Sequence, residues 1–512
     1  MGLAVGGPMI LKGLGLSALS RSILFNMLGE TDKILVLVQL NGGNDGLNTI
    51  IPLDQYDNLK NARGSILIPQ NQILPVTGTL GFHPGMTGLK SLFDDGKIGI
   101  VQSVGYPDQN RSHFRSLEIY AAGSPADEFW NTGWAGRYLD GEAPGYPEGY
   151  PNALNPDPFA ISMGFLVSET CQGQVSNYAV ALTDPFSPSN LAEWEGNEYA
   201  GTLYGFEYEY VREAISMTNQ YSDKIADAAN MGANQVQYPD TGFAEQLKNV
   251  ALLVSGGLKT RIYTVSLGGF DTHSGQASFE NPGFGSHANL LKTLSDGIKA
   301  FQDDLKAQGL EDRVLGMTFS EFGRQIRENG SLGTDHGTAA PMILFGACAQ
   351  GMVVGENPFI PANVGNQDGV SMQFDFRDVY GSILMDWFGV SQENATNMLY
   401  PGFQPMAILG CGNITAVPEP KYNGPVMDLE VSAYPNPFID EVRIRFNSGN
   451  ERVRLSVFTA LGYEVEVLAD REFSEGTHQV SFRGRNLPAG NYYCRVQLEG
   501  GRQKTQLMVK GS

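Results

Sequence analysis

Histidine is scarce in this sequence, with 6 in 512 residues, and basic residues are few, 34 Lys and Arg against 55 Asp and Glu. The resulting net charge of -21 argues against a nucleic-acid binder, whose phosphate contacts need Lys and Arg. Cysteine is rarer still: Cys171, Cys348, Cys411 and Cys494 lie far apart with no C-x-x-C pair. That spacing excludes a zinc ribbon and a thioredoxin-like motif. Four thiols permit several pairings, and nothing in the spacing chooses among them or against free thiols. No run beyond the first thirty residues is long and uncharged enough for a transmembrane span. A G-x-S-x-G elbow and an H-E-x-x-H helix are also missing, which removes two common routes to ester and peptide hydrolysis.

What is present divides into regimes. Residues 1–30 are apolar and rich in small residues, like the hydrophobic part of an export signal without its basic start, and are expected to be a leader or its remnant. From 31 to about 410, short apolar runs alternate with helical patterns. The runs "KILVLVQL" (33–40), "KIGIVQSV" (97–104), "RIYTVSL" (261–267), "RVLGMTF" (313–319) and "PMILFG" (341–346) predict buried strands. Helices are predicted over 243–257 and 287–309 from apolar residues at three- and four-residue steps. Such alternation predicts an α/β fold with a mostly parallel sheet flanked by helices. The Gly-, Pro-, Asn- and Tyr-rich stretch around 140–240 reads as an insertion forming a lid or cap. A Pro/Gly-rich linker follows at 411–427. Beyond it, alternating segments such as "VRIRFNS" and "NYYCRVQLE" predict a small all-β sandwich over 428–512.

The polar motifs sit at the ends of the predicted strands. "NGGNDG" with Asp45 follows the first, "GYPDQNRSHF" with Ser112 the second, "GGFDTHSGQ" with Asp271 and His273 the third, and "SEFGRQ" with Glu321 and Arg324 the fourth. "GTDHGTAAP" with Asp335 and His336 leads into the fifth. Open α/β sheets bind ligands beyond the carboxyl ends of their strands, so five motifs are expected to meet at one sheet edge. Each has a plainer explanation: Asp-Gly is a common turn, Ser112 fits a helix N-cap, and Glu321 with Arg324 fits a structural ion pair. His83 and His113 also lie in loop motifs, whereas His287 heads a predicted helix and His478 falls in the sandwich. Several acids with a few imidazoles in one cleft suit a divalent cation (zinc, manganese, calcium or magnesium), which removes the cost of crowding unpaired carboxylates. A serine at a helix N-terminus beside such an ion is a nucleophile suited to phosphoryl or sulfuryl transfer. Arg111, Arg115 or Arg324 would clamp the anionic oxygens.

With "LVQLNGGNDGLNTIIP", "YPDQNRSHFRS", "TGWAGRYLD", "LGGFDTHSGQ", "FSEFGR" and "GTDHGTAAPMILFG" in this order, the chain resembles the secreted bacterial proteins of the domain of unknown function 1501 family over about residues 30 to 405. The resemblance implies an alkaline phosphatase-like fold and a metal-dependent hydrolase of phosphate or sulfate esters. Asp45, Asp271, His273, Glu321, Asp335 and His336 then stand as metal ligands, Ser112 as the nucleophile, and Arg111 and Arg324 beside it. Departures from the superfamily pattern are the two-residue spacing of Asp271 and His273, Glu321-Phe322 in place of Asp-His, and Phe114 where a formylglycine sulfatase has proline. "AYPNPFIDEVRIRF", "LSVFTALGYEVEVL", "GTHQVSF" and "LPAGNYYCRVQL" resemble the C-terminal sorting domain of type IX secretion in Bacteroidetes. That likeness implies the secretion machinery as a partner, export to the medium or outer surface, and a small ester or glycan-linked substrate met there. A non-catalytic cell-surface binding or assembly protein on the same fold is the alternative.

Overall fold

The computed structural model describes residues 32–188, 219–414, 416–418, 429, 431–449, 451–459, 464–474, 476–485, 487–498 and 503–511. The leader expected over 1–30, most of the linker and part of the insertion lie outside these residues.

The first strand, β1 (Ile34–Asn41), is a run of β-branched and leucine side chains buried along nearly its whole length. Burial on both faces is what a strand inside a parallel sheet requires. It pairs in parallel with β5 (Ile262–Gly268) on one side and β6 (Val314–Phe319) on the other. The remaining strands of the sheet are β2 (Ile98–Gly105), β3 (Ala160–Met163), β4 (Ala179–Leu182), β7 (Ala340–Phe345), β8 (Val353–Val354) and β9 (Phe374–Asp375), in the order β8-β2-β7-β6-β1-β5-β3-β4 with β9 pairing β2. All five strands expected from apolar runs are present. β7 alone runs antiparallel, to both β2 and β6.

Helices α1 (His113–Ala122), α2 (Gly242–Ser255), α3 (Ser286–Ala307) and α4 (Phe376–Asp386) flank the sheet. Thr241 caps α2 by accepting from the Ala244 amide, and Asp375 caps α4 through the Arg377 amide, each satisfying one open N–H of a first turn. Within the segment around 140–240, expected to form a cap, residues 160–163 and 179–182 supply β3 and β4 to the sheet, and residues 189–218 lie outside the described residues. These strands are only four residues long, too short for the alternation of a Gly- and Pro-rich segment to disclose them.

The C-terminal region has its own core. Strands β10 (Val431–Tyr434), β11 (Glu441–Ser448) and β14 (Gly476–Arg483) form one antiparallel sheet. Strands β12 (Glu451–Thr459), β13 (Glu464–Phe473), β15 (Gly490–Leu498) and β16 (Gln503–Lys510) form the other. Alternate residues such as Val442, Ile444, Phe446, Val453, Leu455 and Val457 fill the space between them. The sandwich is all-β. Cys348 and Cys411 form a disulfide, and Cys171 and Cys494 are buried free thiols. No helix among the described residues is long and apolar enough to cross a membrane.

Candidate metal centre

β1, β5 and β6 run parallel, so the loops after them open at the same edge of the sheet. The antiparallel β7 brings the loop that precedes it, with Asp335 and His336, to that edge as well. Close packing of these loops depends on Gly42 and Gly43. Both have positive φ, and a Cβ on Gly42 would lie 2.2 Å from the Asp271 nitrogen and one on Gly43 2.4 Å from the Phe322 ring. A side chain at either position would push the β1 loop off its neighbours.

Three imidazoles surround one carboxylate here. His336 Nε2 lies 3.1 Å and His273 Nε2 3.2 Å from Asp271 Oδ1, and His113 Nε2 lies 3.6 Å from Oδ2. The two nitrogens His273 Nε2 and His336 Nε2 are 3.0 Å apart. His113, Asp271 and His336 each offer an atom within 4.8 Å of the others, as a metal site requires.

The partners of the opposite ring nitrogens decide the tautomers. His336 Nδ1 is 2.9 Å from the Arg111 carbonyl, which can only accept, so Nδ1 carries the hydrogen. His273 Nδ1 faces Asp335 Oδ1 at 2.8 Å and His113 Nδ1 faces Glu321 Oε1 at 2.8 Å, and a carboxylate accepts likewise. Each neutral ring therefore turns an Nε2 lone pair toward Asp271 and its neighbours. A carboxylate or carbonyl behind the imidazole, fixing its tautomer, is the usual outer support of a metal-binding histidine. Three lone pairs and an anion converge with no proton between them unless one ring is charged. A cation is what such a set fits.

Electrostatics agree with the geometry. Partial burial works against charge on Asp271, but the hydrogen bond and positive charge of Arg324 hold its carboxyl below the usual range, as do His336 and His273 when they are protonated. Hydrogen bonds from Asn329 and His273 lower Asp335 as well. Burial lowers His336, against the raising effect of Asp271 and the Arg111 carbonyl, which favours the neutral ring. The Phe322 ring packs against His336 and His113, with centroids 4.6 and 5.0 Å apart, so it is an apolar wall that holds both imidazoles in place.

Several expected roles change. Asp45 does not join the cluster: it is fully buried, with Arg63 Nη1 2.9 and 2.7 Å from its two oxygens and Gln276 Nε2 2.5 Å from Oδ2. Burial opposes its charge, and Arg63, His287 and Gln276 outweigh that to keep its carboxyl below the usual range. Glu321 is buried behind His113, its Oε1 facing His113 Nδ1 and also accepting from the Gly42 amide at 2.8 Å. Asp335 stands behind His273 in the same way. Arg324 cannot clamp a substrate, because its guanidinium already donates to the carbonyls of Gly43, Thr334, Gly42 and Phe270 and to Asp271. It is a buried brace joining three loops. Arg111 meets Gln367 through both terminal nitrogens, at 3.3 and 2.8 Å. Ser112 is exposed at the N-cap of α1, and its side chain makes no capping hydrogen bond.

His113 was visible in the "NRSHF" loop but not placed among the ligands, since a histidine beside a helix-opening serine carries no ligand spacing of its own. Gln276 was missed entirely. Its amide donates to Asp45 while its oxygen accepts from Thr272 and Thr334 at 3.0 and 2.7 Å, which ties the β1 loop to both loops that carry ligands.

Residues 204–386 match the model of a family described as protein of unknown function (DUF1501), and residues 432–510 match that of the secretion system C-terminal sorting domain. The chain thus carries a DUF1501 match in its α/β part and a sorting-domain match in its tail. The DUF1501 match takes in Asp271, His273, Glu321, Asp335 and His336, and ends short of Asp45 and His113 on the N-terminal side. No curated protein sequence matches the chain. Among solved structures, it is similar to a protein in the alkaline phosphatase superfamily from Vibrio parahaemolyticus, at 9% identity and TM-score 0.30 over 93% of this chain and 82% of that one. It is similar to the PsFucS1 sulfatase from Pseudoalteromonas sp. at 11% and 0.32, covering 92% and 88%. Likewise it resembles a phosphonate monoester hydrolase from Silicibacter pomeroyi at 10% and 0.33, covering 93% and 89%. No residue of this chain is assigned from these remote likenesses. The sorting domain implies the type IX secretion machinery as partner and secretion or cell-surface attachment as destination.

Proposed function

We propose that the protein is a secreted metal-dependent hydrolase of phosphate or sulfate esters, with His113, Asp271, His273 and His336 as metal ligands. The observation that carries this reading is the convergence of three Nε2 lone pairs on the Asp271 carboxylate, each imidazole backed by its own acceptor. Three nitrogens and one carboxylate suit zinc, or another nitrogen-tolerant transition ion, better than calcium or magnesium, which prefer all-oxygen shells. Bound there, the ion would supply Lewis-acid stabilisation of anionic ester oxygens.

The chain's own groups take the other roles. Ser112, exposed and without a capping bond at the start of a ten-residue helix, is the proposed nucleophile, helped by the positive end of that helix. Its oxygen would bond to phosphorus or sulfur as the ester oxygen leaves as the alcohol, taking up the proton that the serine releases. Water would then cleave the seryl ester and restore the hydroxyl. Arg111, held at its edge by Gln367, keeps donors for the anionic oxygens. Glu321, Asp335 and the Arg111 carbonyl fix ring orientation. The commitment of Arg324 to protein carbonyls favours a second reading, a non-catalytic surface binding protein that keeps the ion, because among the described residues no buried cation is left free beside the cluster to hold an anion.

The test is elemental analysis of the full-length protein, with His113→Ala and His336→Ala beside it, followed by turnover of aryl phosphate and aryl sulfate esters. Stoichiometric metal in the parent, loss in the variants, and turnover abolished by Ser112→Ala with metal retained are expected. Full metal in both histidine variants would refute the site. Turnover unchanged in Ser112→Ala would refute the nucleophile, and metal without any turnover would leave the binding protein.

A further inference from the structure

A cleft of about 720 Å³ lies at the carboxyl ends of β1, β3 and β5, between α1 and the 164–170 loop. Its walls run directly into the metal centre: Asn41 precedes the Gly42 loop, and Phe114 follows His113 on α1. None of the roles assigned above uses it.

The lining is particular in its charge. Among the described residues, no lysine, arginine or histidine lines the cleft, while two carboxylates, Glu118 and Glu169, do. Glu118 is paired with Arg115 at 3.0 Å; Glu169 is exposed. An anionic group placed here would meet Glu169 and a Glu118 already matched by Arg115, with no cation among the lining residues. The floor is polar and uncharged. Gln39 Nε2 donates to Asn41 Oδ1 at 2.5 Å, which leaves the Gln39 carbonyl as an acceptor and the Asn41 amide as a donor side by side. A hydroxyl both donates and accepts, so it satisfies such a pair; an ammonium or a carboxylate satisfies half of it. Phe114 and Phe165 stand at the cleft 84% and 91% exposed, and large aromatic faces left in water beside polar groups suit a ligand that is apolar on one face and hydroxylated at its edges.

We infer that this cleft is a binding subsite for an uncharged sugar unit, which stacks on Phe114 or Phe165 and bonds its hydroxyls to Gln39 and Asn41. The inference extends the hydrolase reading by naming the part of the substrate that carries the ester. Binding itself does not require that reading to hold.

Binding of the full-length protein to an array of neutral oligosaccharides (β-glucans, α-glucans, xylans, mannans and galactans), with sulfated and uronate glycans alongside, tests it. Hits are followed by calorimetry with and without EDTA. Affinity for at least one neutral glycan is expected, retained in EDTA and weakened by about tenfold or more in Phe165→Ala. Phe165 is exposed, so that variant keeps the fold; Asn41→Ala is expected to weaken the same glycan. Binding confined to anionic glycans, binding to none, or affinity unchanged from the parent in both variants would overturn the subsite. Turnover plays no part in this readout, so an inactive but sugar-binding protein would reject the hydrolase reading and keep the subsite.

Discussion

Asp45 and Asp271 follow adjacent strands, yet one is sealed from solvent and the other keeps 47% of its side chain exposed. Burial decides their chemistry. A sealed carboxylate must be matched by an equally sealed cation, and Arg63 provides it. Asp271 is matched on one oxygen only and remains open to a second positive partner. Asp45→Asn is therefore expected to cost stability, by roughly 3–5 kcal/mol for a buried arginine left without its partner, while metal content stays at the parent level. Urea unfolding with elemental analysis checks both halves; metal loss in a variant that still folds would return Asp45 to the ligand set. The "NGGNDG" motif marked the loop, and composition suggested a turn or a ligand, but Arg63 and Gln276 come from segments that no local spacing connects to Asp45. In the same way Glu321 and Asp335 read as ligands because an acid in a cleft is indistinguishable, by sequence, from the acid that orients the imidazole in front of it. Scarcity of histidine was the more useful signal, since three of the six meet in one cluster.

At the scale of elements, the strands legible from apolar runs were those buried over most of a strand's length, as β1, β2 and β6 are, because such runs need no partner to be recognised. β3 (AISM) and β4 (AVAL) are apolar but only four residues long, and half of "EVEVLADREF" in β13 is charged, so none stands out as an extended apolar run. The direction of β7 was also hidden. Apolar content reports burial and says nothing of polarity, and only the antiparallel course brings His336 to the site. Just beyond β7, the disulfide ties Cys348 to Cys411 past the end of α4, closing a loop of 63 residues. Loop closure of that length limits the unfolded chain by on the order of 4 kcal/mol. Cys348→Ser, or reduction with dithiothreitol, is expected to lower the thermal midpoint markedly; an unchanged midpoint would mean that the tether adds nothing.

For the whole molecule, the burial penalty that bears on acid stability lies with two histidines outside the candidate metal cluster. Burial, with the neighbouring His287, pushes His83 down to about 3, and burial pushes His287 to about 4, despite the opposing charge of Asp45. Both rings are therefore neutral in the folded state through a range where the unfolded chain, with ordinary values near 6.5, takes up protons. The stability they contribute is complete above about pH 6.5 and falls as the pH drops from there toward 4 and 3. Urea midpoints measured from pH 7.5 to 4.5 are expected to decline, and the decline to be shallower in His83→Gln. Equal slopes would show that other groups govern acid sensitivity. The sandwich also closes on a core of its own, Val442, Ile444, Phe446, Val453, Leu455 and Val457 among it, apart from the clusters of the α/β region.

His113 and His336 come from opposite ends of the α/β domain's sequence, and His273 lies between them. A nascent chain emerging from a ribosome or a translocation pore thus holds no two of these imidazoles together until β7 is in the sheet. Whichever compartment completes that last pairing also sets the pool of ions that the finished protein meets, so for an exported chain the choice of metal is made by geography as much as by ligand chemistry.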